Sequence, residues 1–364
     1  LHLCDRRQRQ MCIRDRLVGD IDRGGVFAQL AGTMLLLEEE EKKRVKGTII
    51  NKFRGDVSIL KPGLRMLEEK INTSVLGVIP YFHLDIEDED SLTERFRKKS
   101  RSGLAKIAVI RLPRISNFTD IAPLEAVDEL DVSYVSNISQ FGDPDVVIIP
   151  GSKNTISDLL WMRQNGLEGK ILRHAAKGGI VFGICGGYQM LGQSISDPTG
   201  AEQKGTVRGM GLLPVTTVFE QEKRRTRVSG RFAKVGGALA EMSGVCYEGY
   251  EIHMGRTVLS KGTVPLVYME EEGEQRQDGA QSDHVYGCYM HGIFDMSETV
   301  KTFLAAVLRK KGIDPSKITV RDRNAYKEEQ YDRLASIVRE NLNMEAVYKI
   351  IEKGNEASCS LLSE

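Results

Sequence analysis

Short β-branched runs that alternate with longer amphipathic segments limit the folds open to this chain. The runs that read as strands are rich in Val and Ile: Val45–Asn51, Val75–Pro80, Ala105–Arg111, Ser133–Val135, Asp145–Pro150, Gly179–Cys185 and Val285–His291. Helical periodicity marks three further segments: Pro62–Ile71, Val300–Lys310 and Tyr331–Lys353. Strands that alternate with helices form parallel sheets covered by helices. We therefore predict an α/β protein, with a β-rich antiparallel part over Gly205–Arg231 and Tyr247–Leu259.

The length and the net charge of the chain indicate how many domains it has and which class of partner it does not bind. The chain has 364 residues, with 51 Lys and Arg against 51 Asp and Glu, so its formal net charge is zero. Nucleic-acid binding draws on an excess of basic residues, and we predict no nucleic-acid partner. The length suggests two domains. The charged run at 85–101 (DIEDEDSLTERFRKKSR) is predicted to be the solvated boundary between them.

The cysteines and the hydropathy pattern indicate a cytoplasmic protein. Six cysteines are scattered through the chain without CxxC or CxH spacing, which argues against a zinc knuckle or a disulfide framework. No apolar stretch approaches the roughly 18 residues of a membrane span. We predict no membrane partner.

The first sixteen residues (LHLCDRRQRQMCIRDR) do not match the pattern of the rest. They have no apolar h-region and no cleavage site, so a targeting peptide is disfavoured. We interpret residues 1–16 as a non-native leader, because Leu17–Asp20 reads as the end of a strand whose beginning is missing.

The clearest chemical signal is a cysteine between glycines at the end of an apolar strand. Gly183-Ile184-Cys185-Gly186-Gly187 precedes a helical run, which is the strand–turn–helix form of a nucleophile elbow. A helix N-terminus favours the thiolate, and the backbone N–H of Gly186 is placed to donate to a developing oxyanion. The alternative is a buried structural cysteine at an ordinary strand end.

Three further parts of such a site have candidates in the chain. Gly151 and Ser152 follow the strand at 145–150, and the carboxyl ends of parallel strands meet at one sheet edge, so their N–H groups could complete an oxyanion hole. His291 at the end of a late strand is the candidate base, and His253 competes with it. Gln189, one helical turn after Cys185, is a candidate contact for the substrate.

Four motifs in order carry a family resemblance: PGSKNTISDL (150–159), GICGGYQMLG (183–192), GYEIHMGRT (249–257) and YMHGIF (289–294). Together they resemble the glutamine amidotransferase domain of the cobyric acid synthase and cobyrinic acid diamide synthase group, within the class I glutaminases. The resemblance implies a flavodoxin-like α/β domain in which Cys185 is the nucleophile and His291 the base. Class I relatives usually carry an acid two residues after the histidine. Ile293 stands there, so a dyad is implied and no third catalytic residue is assigned.

The upstream half resembles a different domain of the same group. DIDRGGVFA (20–28) and NKFRGD (51–56) are similar to the second half of the ATP-dependent synthetase domain of cobyric acid synthases, a P-loop fold like that of dethiobiotin synthetase. The resemblance implies ATP and Mg²⁺ as cofactors. Asp20 or Asp22 would help to hold Mg²⁺, and Asn51 would contact the adenine. No site for a resident metal is otherwise indicated.

The sequence nevertheless contains no G-x-x-x-x-G-K-[ST] motif. We therefore expect the C-terminal portion of a longer enzyme, lacking the P-loop: 17–100 from the synthetase domain, 104–308 the amidotransferase domain and 309–364 a C-terminal helical extension. The implied partners are glutamine and a corrinoid, cobyrinic acid a,c-diamide, whose carboxylates are amidated. The alternatives are a cobyrinic acid a,c-diamide synthase-like enzyme, against which the two upstream motifs argue, and a non-catalytic binding protein with the same fold.

Overall fold

The computed structural model describes residues 15–82, 84, 103–271, 274–317 and 323–360. The charged run at 85–101 and residues 1–14 lie outside this described part. The chain divides into two compact units. Unit 1 comprises Leu1–Ile86 and Lys327–Glu364, and unit 2 comprises Glu87–Tyr326.

The strands follow the chain in this order: β1 (Asp15–Asp20), β2 (Val45–Phe53), β3 (Val75–Pro80), β4 (Ala105–Ile110), β5 (Ile115–Ser116), β6 (Leu130–Val135), β7 (Val146–Ile149), β8 (Gly151–Ser152), β9 (Ile180–Ile184), β10 (Ser194–Asp197), β11 (Gly205–Arg208), β12 (Val215–Phe232), β13 (Cys246–Leu259), β14 (Val267–Glu271), β15 (Glu274–Asp278), β16 (Ala280–Ser282) and β17 (Val285–Cys288). The α-helices are α1 (Val26–Leu36), α2 (Glu39–Lys42), α3 (Lys61–Ile71), α4 (Ala122–Glu125), α5 (Thr155–Gln164), α6 (Leu167–Ala176), α7 (Gly186–Leu191), α8 (Ser297–Lys310), α9 (Arg323–Asn341) and α10 (Met344–Ser360).

Unit 1 is built on a parallel sheet in the order β1-β2-β3. Successive strand residues face opposite sides, so Ile49 and Ile50 enter two separate apolar clusters. Ile50 packs with side chains of α1 and α3, and Ile49 packs with side chains of α9 and α10. Asp15 and Arg16, placed in the leader by sequence, pair with β2 as part of β1. The sheet is therefore covered on both faces.

Unit 2 contains a larger sheet in the order β16-β17-β9-β7-β4-β6, parallel except for β16. Its central strands β7 and β9 are fully buried, as strands with helices on both faces should be. A second sheet is mainly antiparallel and is dominated by the long pair β12 and β13. The α/β class predicted from the sequence is confirmed, and so is the antiparallel part.

Two predicted elements have different bounds in the structure. The helical segment predicted at 331–353 is divided, because α9 ends at Asn341 and the side chain of Asn343 accepts a hydrogen bond from Ala346 N at 3.1 Å as α10 begins. The strand predicted at 285–291 ends at Cys288. The chain then turns so that His291 pairs with the backbone of Tyr250. None of the helices in the described residues is long and apolar enough to span a bilayer.

Candidate active site

Cys185 occupies a sharp turn between β9 and α7, as the sequence pattern predicts. Its backbone has φ 52° and ψ −107°, outside the regions that residues with a Cβ normally adopt. The turn also brings α7 close to β7, because a Cβ on Gly187 would lie 1.9 Å from the carbonyl oxygen of Ile149. Only glycine fits at position 187. This close packing fixes Cys185 at the carboxyl edge of the larger sheet of unit 2 (β16-β17-β9-β7-β4-β6), hereafter the central sheet.

The thiol itself is largely enclosed. Cys185 is 7% exposed, and its Sγ lies 3.8 Å from the carbonyl oxygen of Ile252 on β13. Its backbone N–H donates to Cys288 O at 2.8 Å, which ties the elbow to the neighbouring strand β17. A nucleophile held in this way has little freedom to move during a reaction.

The loop of Gly151 and Ser152 lies directly beside the elbow. A Cβ on Gly186 would be 3.0 Å from the backbone nitrogen of Ser152, and a Cβ on Gly151 would be 3.2 Å from Cε1 of His291. The two segments predicted to share an oxyanion hole are therefore adjacent. The structure also brings His291 to the same loop.

Hydrogen bonds hold this loop rigidly. Ser152 Oγ donates to Asp158 at 2.7 Å and accepts from Asn154 N at 2.9 Å. Asn154 in turn caps α5 by accepting from Ser157 N at 2.9 Å. Burial raises the pKa of Asp158, although hydrogen bonds from Ser152 and Arg114 oppose that shift. The loop N–H groups are thus preorganised.

His291 is buried in a set of contacts that fix its ring. Its Nδ1 lies 2.7 Å from Asp120 Oδ2, and the adjacent Gly292 N–H donates to Asp120 Oδ1 at 2.9 Å. The ring of Tyr250 stacks on the imidazole at a centroid distance of 5.2 Å. Because a carboxylate only accepts hydrogen bonds, Nδ1 carries the proton, and Nε2 is left for Cys185.

The charge state of His291 follows from the same neighbours. Burial disfavours the charged imidazole and lowers its pKa. The charges of Asp120 and Cys185, together with hydrogen bonds to both, outweigh that effect and raise the pKa of His291 to about 10. The imidazole therefore holds its proton at neutral pH beside the cysteine. An imidazolium next to a thiol favours the thiolate, which is the reactive form.

His253, the competing base, has a different environment. Its Nδ1 lies 2.8 Å from the carbonyl oxygen of Gly255, and its ring stacks on Tyr289 at a centroid distance of 3.7 Å. Its Nε2 lies 3.7 Å from the buried carboxylate of Glu251. The ring forms part of the wall of a cavity of about 570 Å³, which also presents Arg224 and Arg276. These contacts indicate that His253 is a structural residue of the cavity wall.

Gln189 lies on α7, and its side chain is buried. Its Oε1 accepts from Thr155 Oγ1 at 3.2 Å, and its Nε2 donates to the hydroxyl of Tyr289 at 3.1 Å. Gly255 allows this placement, because a Cβ there would lie 2.3 Å from Gln189 Nε2. Nε2 carries a second N–H besides the one donated to Tyr289. The side chain thus joins α5 to Tyr289, two residues before His291.

The three predicted nucleotide residues lie in unit 1, at the carboxyl ends of β1 and β2. Asp20 and Asn51 are register partners. Lys52 Nζ donates to Asp20 at 2.8 Å, and this bond lowers the pKa of the carboxyl. Asp22 pairs with Arg54 at 2.9 Å, and Asn51 Oδ1 accepts from the N–H of Lys52 at 2.9 Å. Each of the three side chains thus makes at least one hydrogen bond or ion pair within the unit.

A family model for the CobB/CobQ-like glutamine amidotransferase domain matches residues 106–299. A cobyric acid synthase of Ruminiclostridium cellulolyticum is 56% identical over 93% of this chain and 67% of its own length. The chain belongs to the cobyric acid synthase family. A second cobyric acid synthase, from Lachnoclostridium phytofermentans, is 48% identical over 93% of this chain and 68% of its own length. A crystal structure of a glutamine amidotransferase, 16% identical, covers 57% of this chain and 99% of its own length at a TM-score of 0.41.

Within this family member, the sequence reasoning missed Asp120. It looked for an acid at position 293, where the buried Ile293 stands. Asp120 lies 171 residues before His291, on the 3₁₀ turn Phe118–Ile121, so no local spacing relates the two. One signal was available: a lone acidic residue inside the segment Phe118–Leu124, whose other residues are apolar except for Thr119.

Proposed function

We propose that this chain hydrolyses glutamine at Cys185 and supplies the ammonia for amidation of corrinoid side-chain carboxylates in cobalamin biosynthesis. The reaction proposed for the whole enzyme converts adenosylcobyrinic acid a,c-diamide to adenosylcobyric acid. The contact of the elbow cysteine with the protonated His291 carries the proposal. The relatives named cobyric acid synthase support the corrinoid substrate, and the six scattered cysteines favour a reducing cytosol as the compartment.

The hydrolysis proceeds by nucleophilic catalysis. In the resting site the proton of Cys185 is already on His291, and the thiolate attacks the carboxamide carbon of glutamine. The imidazolium protonates the departing ammonia, which leaves a thioester. Water, deprotonated by His291, then attacks the thioester carbon, the C–S bond breaks, and glutamate leaves as Cys185 returns to its starting state. Gln189, through its remaining N–H, is the proposed contact for the bound glutamine.

The oxyanion that forms in both halves of this reaction needs two donors. Gly186 supplies one from the start of α7. For the second, Ser152 is a better candidate than Gly151. Next to the antiparallel β5–β8 pair, Lys153 N donates to Arg114 O. Hydrogen-bonded pairs alternate along antiparallel strands, so the N–H of Gly151 points to β5 and that of Ser152 points away. Removing one such donor costs roughly 10²–10³ in rate in other hydrolases.

ATP and Mg²⁺ belong to the proposal only for the whole enzyme. Asp20 is paired with Lys52 and Asp22 with Arg54, and in the part of the chain that the structure describes no group of three or more His, Cys, Asp or Glu residues could hold a metal. These residues do not fit a magnesium site by themselves. Asp20, Asp22 and Asn51 therefore stay proposed nucleotide contacts without a chemical step.

The alternatives are weaker on specific grounds. A cobyrinic acid a,c-diamide synthase would share the Cys–His site, but the relatives described above are cobyric acid synthases. A non-catalytic binding protein would have no need of a strained elbow or of a buried ion pair beside the thiol, since strain of this kind costs roughly 1–3 kcal/mol.

The test is glutamate release by the full chain. Cys185→Ala should abolish glutamine hydrolysis, while Cys246→Ala, which removes an exposed free thiol, should leave it unchanged. A glutamine-like electrophile should label Cys185 and be blocked by glutamine. Hydrolysis that survives in Cys185→Ala would refute the nucleophile, and labelling that glutamine does not block would refute the pocket.

A further inference from the structure

Asp120 is paired with the imidazole of His291, although the sequence resemblance implies a dyad with no acid. Its two oxygens have separate partners: Oδ2 meets His291 Nδ1, and Oδ1 accepts from the N–H of Gly292. The carboxylate and the imidazole are 2% and 1% exposed. A buried carboxylate with one oxygen on the ring and one on the adjacent backbone fixes both the position and the orientation of the histidine.

The backbone around Asp120 is shaped for this contact. Asn117 precedes the 3₁₀ turn in the left-handed conformation, with φ 51°. Its side-chain amide donates to the hydroxyl of Tyr250, whose ring stacks on His291. One short segment, Asn117–Asp120, therefore holds the imidazole at its edge through Asp120 and on its face through Tyr250.

The groups that face the imidazole come from four elements. Asp120 lies on the 3₁₀ turn, Cys185 on the elbow and Tyr250 on β13, and Asp295 lies beside Gly292 in the turn that follows. Burial, with Asp120 adding to it, raises the pKa of Tyr250 to about 12, so its phenol is neutral. The negative partners in direct contact with the ring are thus Asp120 and Cys185.

We propose that Asp120 is the positioning residue of the glutaminase site, taking the place that class I relatives give to an acid two residues after the histidine. The inference rests on the proposed glutaminase function and deepens it. Asp120 keeps the proton on Nδ1, so that Nε2 faces the thiol of Cys185 and can exchange its proton. The site is then a triad whose third member comes from the region between β5 and β6, far from the histidine in sequence.

Asp120→Asn separates this role from simple packing. The amide has the same shape, and its oxygen can still accept from Gly292 N–H, but its NH₂ faces Nδ1 and forces the opposite tautomer. We expect kcat to fall by about two to four orders of magnitude, as in a serine hydrolase triad, with KM little changed. The midpoint for loss of the His291 proton should fall by about 1–3 pH units from its value near 10.

Asp145→Asn is the matched control. Asp145 also contacts one backbone N–H, that of Lys106 at 2.8 Å, and one basic side chain, Lys311 at 2.7 Å. It lies at the opposite end of the central sheet, before β7. This variant should keep both kcat and the midpoint of His291.

The experiment combines glutamate release with an NMR titration of labelled histidines in the full chain, with His291→Gln used for assignment among six histidines. If Asp120→Asn behaves like Asp145→Asn in both measurements, the proposal is wrong. If Asp120→Asn does not fold, Asp120→Glu, which keeps the charge, decides: a midpoint well above 6.5 supports the proposal and an ordinary one overturns it. If the unaltered chain releases no glutamate, the glutaminase function fails, and the His291 midpoint still decides the role of Asp120.

Discussion

The difference in the free energy of unfolding between an alanine variant and a glycine variant should not be the same at Cys185 as at Cys288. At an ordinary buried strand position, glycine is less stable than alanine, by roughly 0.4–1 kcal/mol of backbone entropy and about 0.8 kcal/mol for the lost methyl burial. Cys288 is such a position, fully buried at the end of β17. Cys185 is not, because its φ of 52° and ψ of −107° favour a residue without a Cβ.

The difference between the two sites isolates the strain. Cys185→Ala and Cys185→Gly both lose the sulfur, and so do Cys288→Ala and Cys288→Gly, so that loss cancels within each pair. Burial and entropy are similar at the two positions. What is left is the cost of holding a Cβ in the elbow conformation, roughly 1–3 kcal/mol. Glycine should therefore be better tolerated at 185 than at 288 by that amount.

Thermal or denaturant unfolding of the four variants measures this difference. The chain has a single tryptophan, Trp161, which lies on α5 within unit 2 and packs against its core, so its fluorescence reports on the unit that holds the elbow. For a domain of about 150–250 residues, 1 kcal/mol corresponds to roughly 2–4 °C in Tm. If the alanine-to-glycine differences at 185 and 288 agree within about 0.5 kcal/mol, a typical limit for independent sites, the elbow holds no strain and the reasoning is refuted.

Two further predictions follow from the same site. Gly187→Ala should lower the Tm of unit 2 and remove Cys185 labelling, because the new Cβ would meet Ile149 O at 1.9 Å, whereas Gly169→Ala on α6, with open space around it, should be neutral or stabilising. The raised pKa of His291 adds stability that is fully present below its unfolded value of 6.5 and lost as pH rises through about 10. The free energy of unfolding should fall more between pH 7 and 10 in the unaltered protein than in His291→Gln, and equal falls would contradict the assigned charge state.

Sequence reasoning succeeded where the signal is local. The strand predicted at 75–80 has the same bounds in the structure, and the helix predicted at 62–71 begins only one residue earlier. The elbow at Cys185 was likewise visible as an apolar run, a nucleophile and flanking glycines. Each of these patterns is set by the period of side-chain burial or by the backbone freedom of glycine, and neither depends on distant parts of the chain.

Relations between distant residues were accessible only in part. Parallel topology predicted that the loop after β7 and the elbow after β9 would share one edge, and the two are in fact adjacent. The same argument could not choose between Gly151 and Ser152 as donor, because that choice depends on the register of the short pair β5–β8. A strand pair of two residues is too short to produce a hydrophobic pattern from which its register could be predicted.

The sequence by itself determined the α/β class and the elbow. It also singled out Cys185 and His291, the candidate nucleophile and base from which a glutaminase could be proposed. Tertiary structure alone decided that Asp120, from a turn 171 residues away, orients His291, and that Tyr250 covers the ring. The physical reason is that periodicity and turn chemistry act over a few residues. The charge state of a buried imidazole depends on which side chains the folded chain brings within hydrogen-bonding distance.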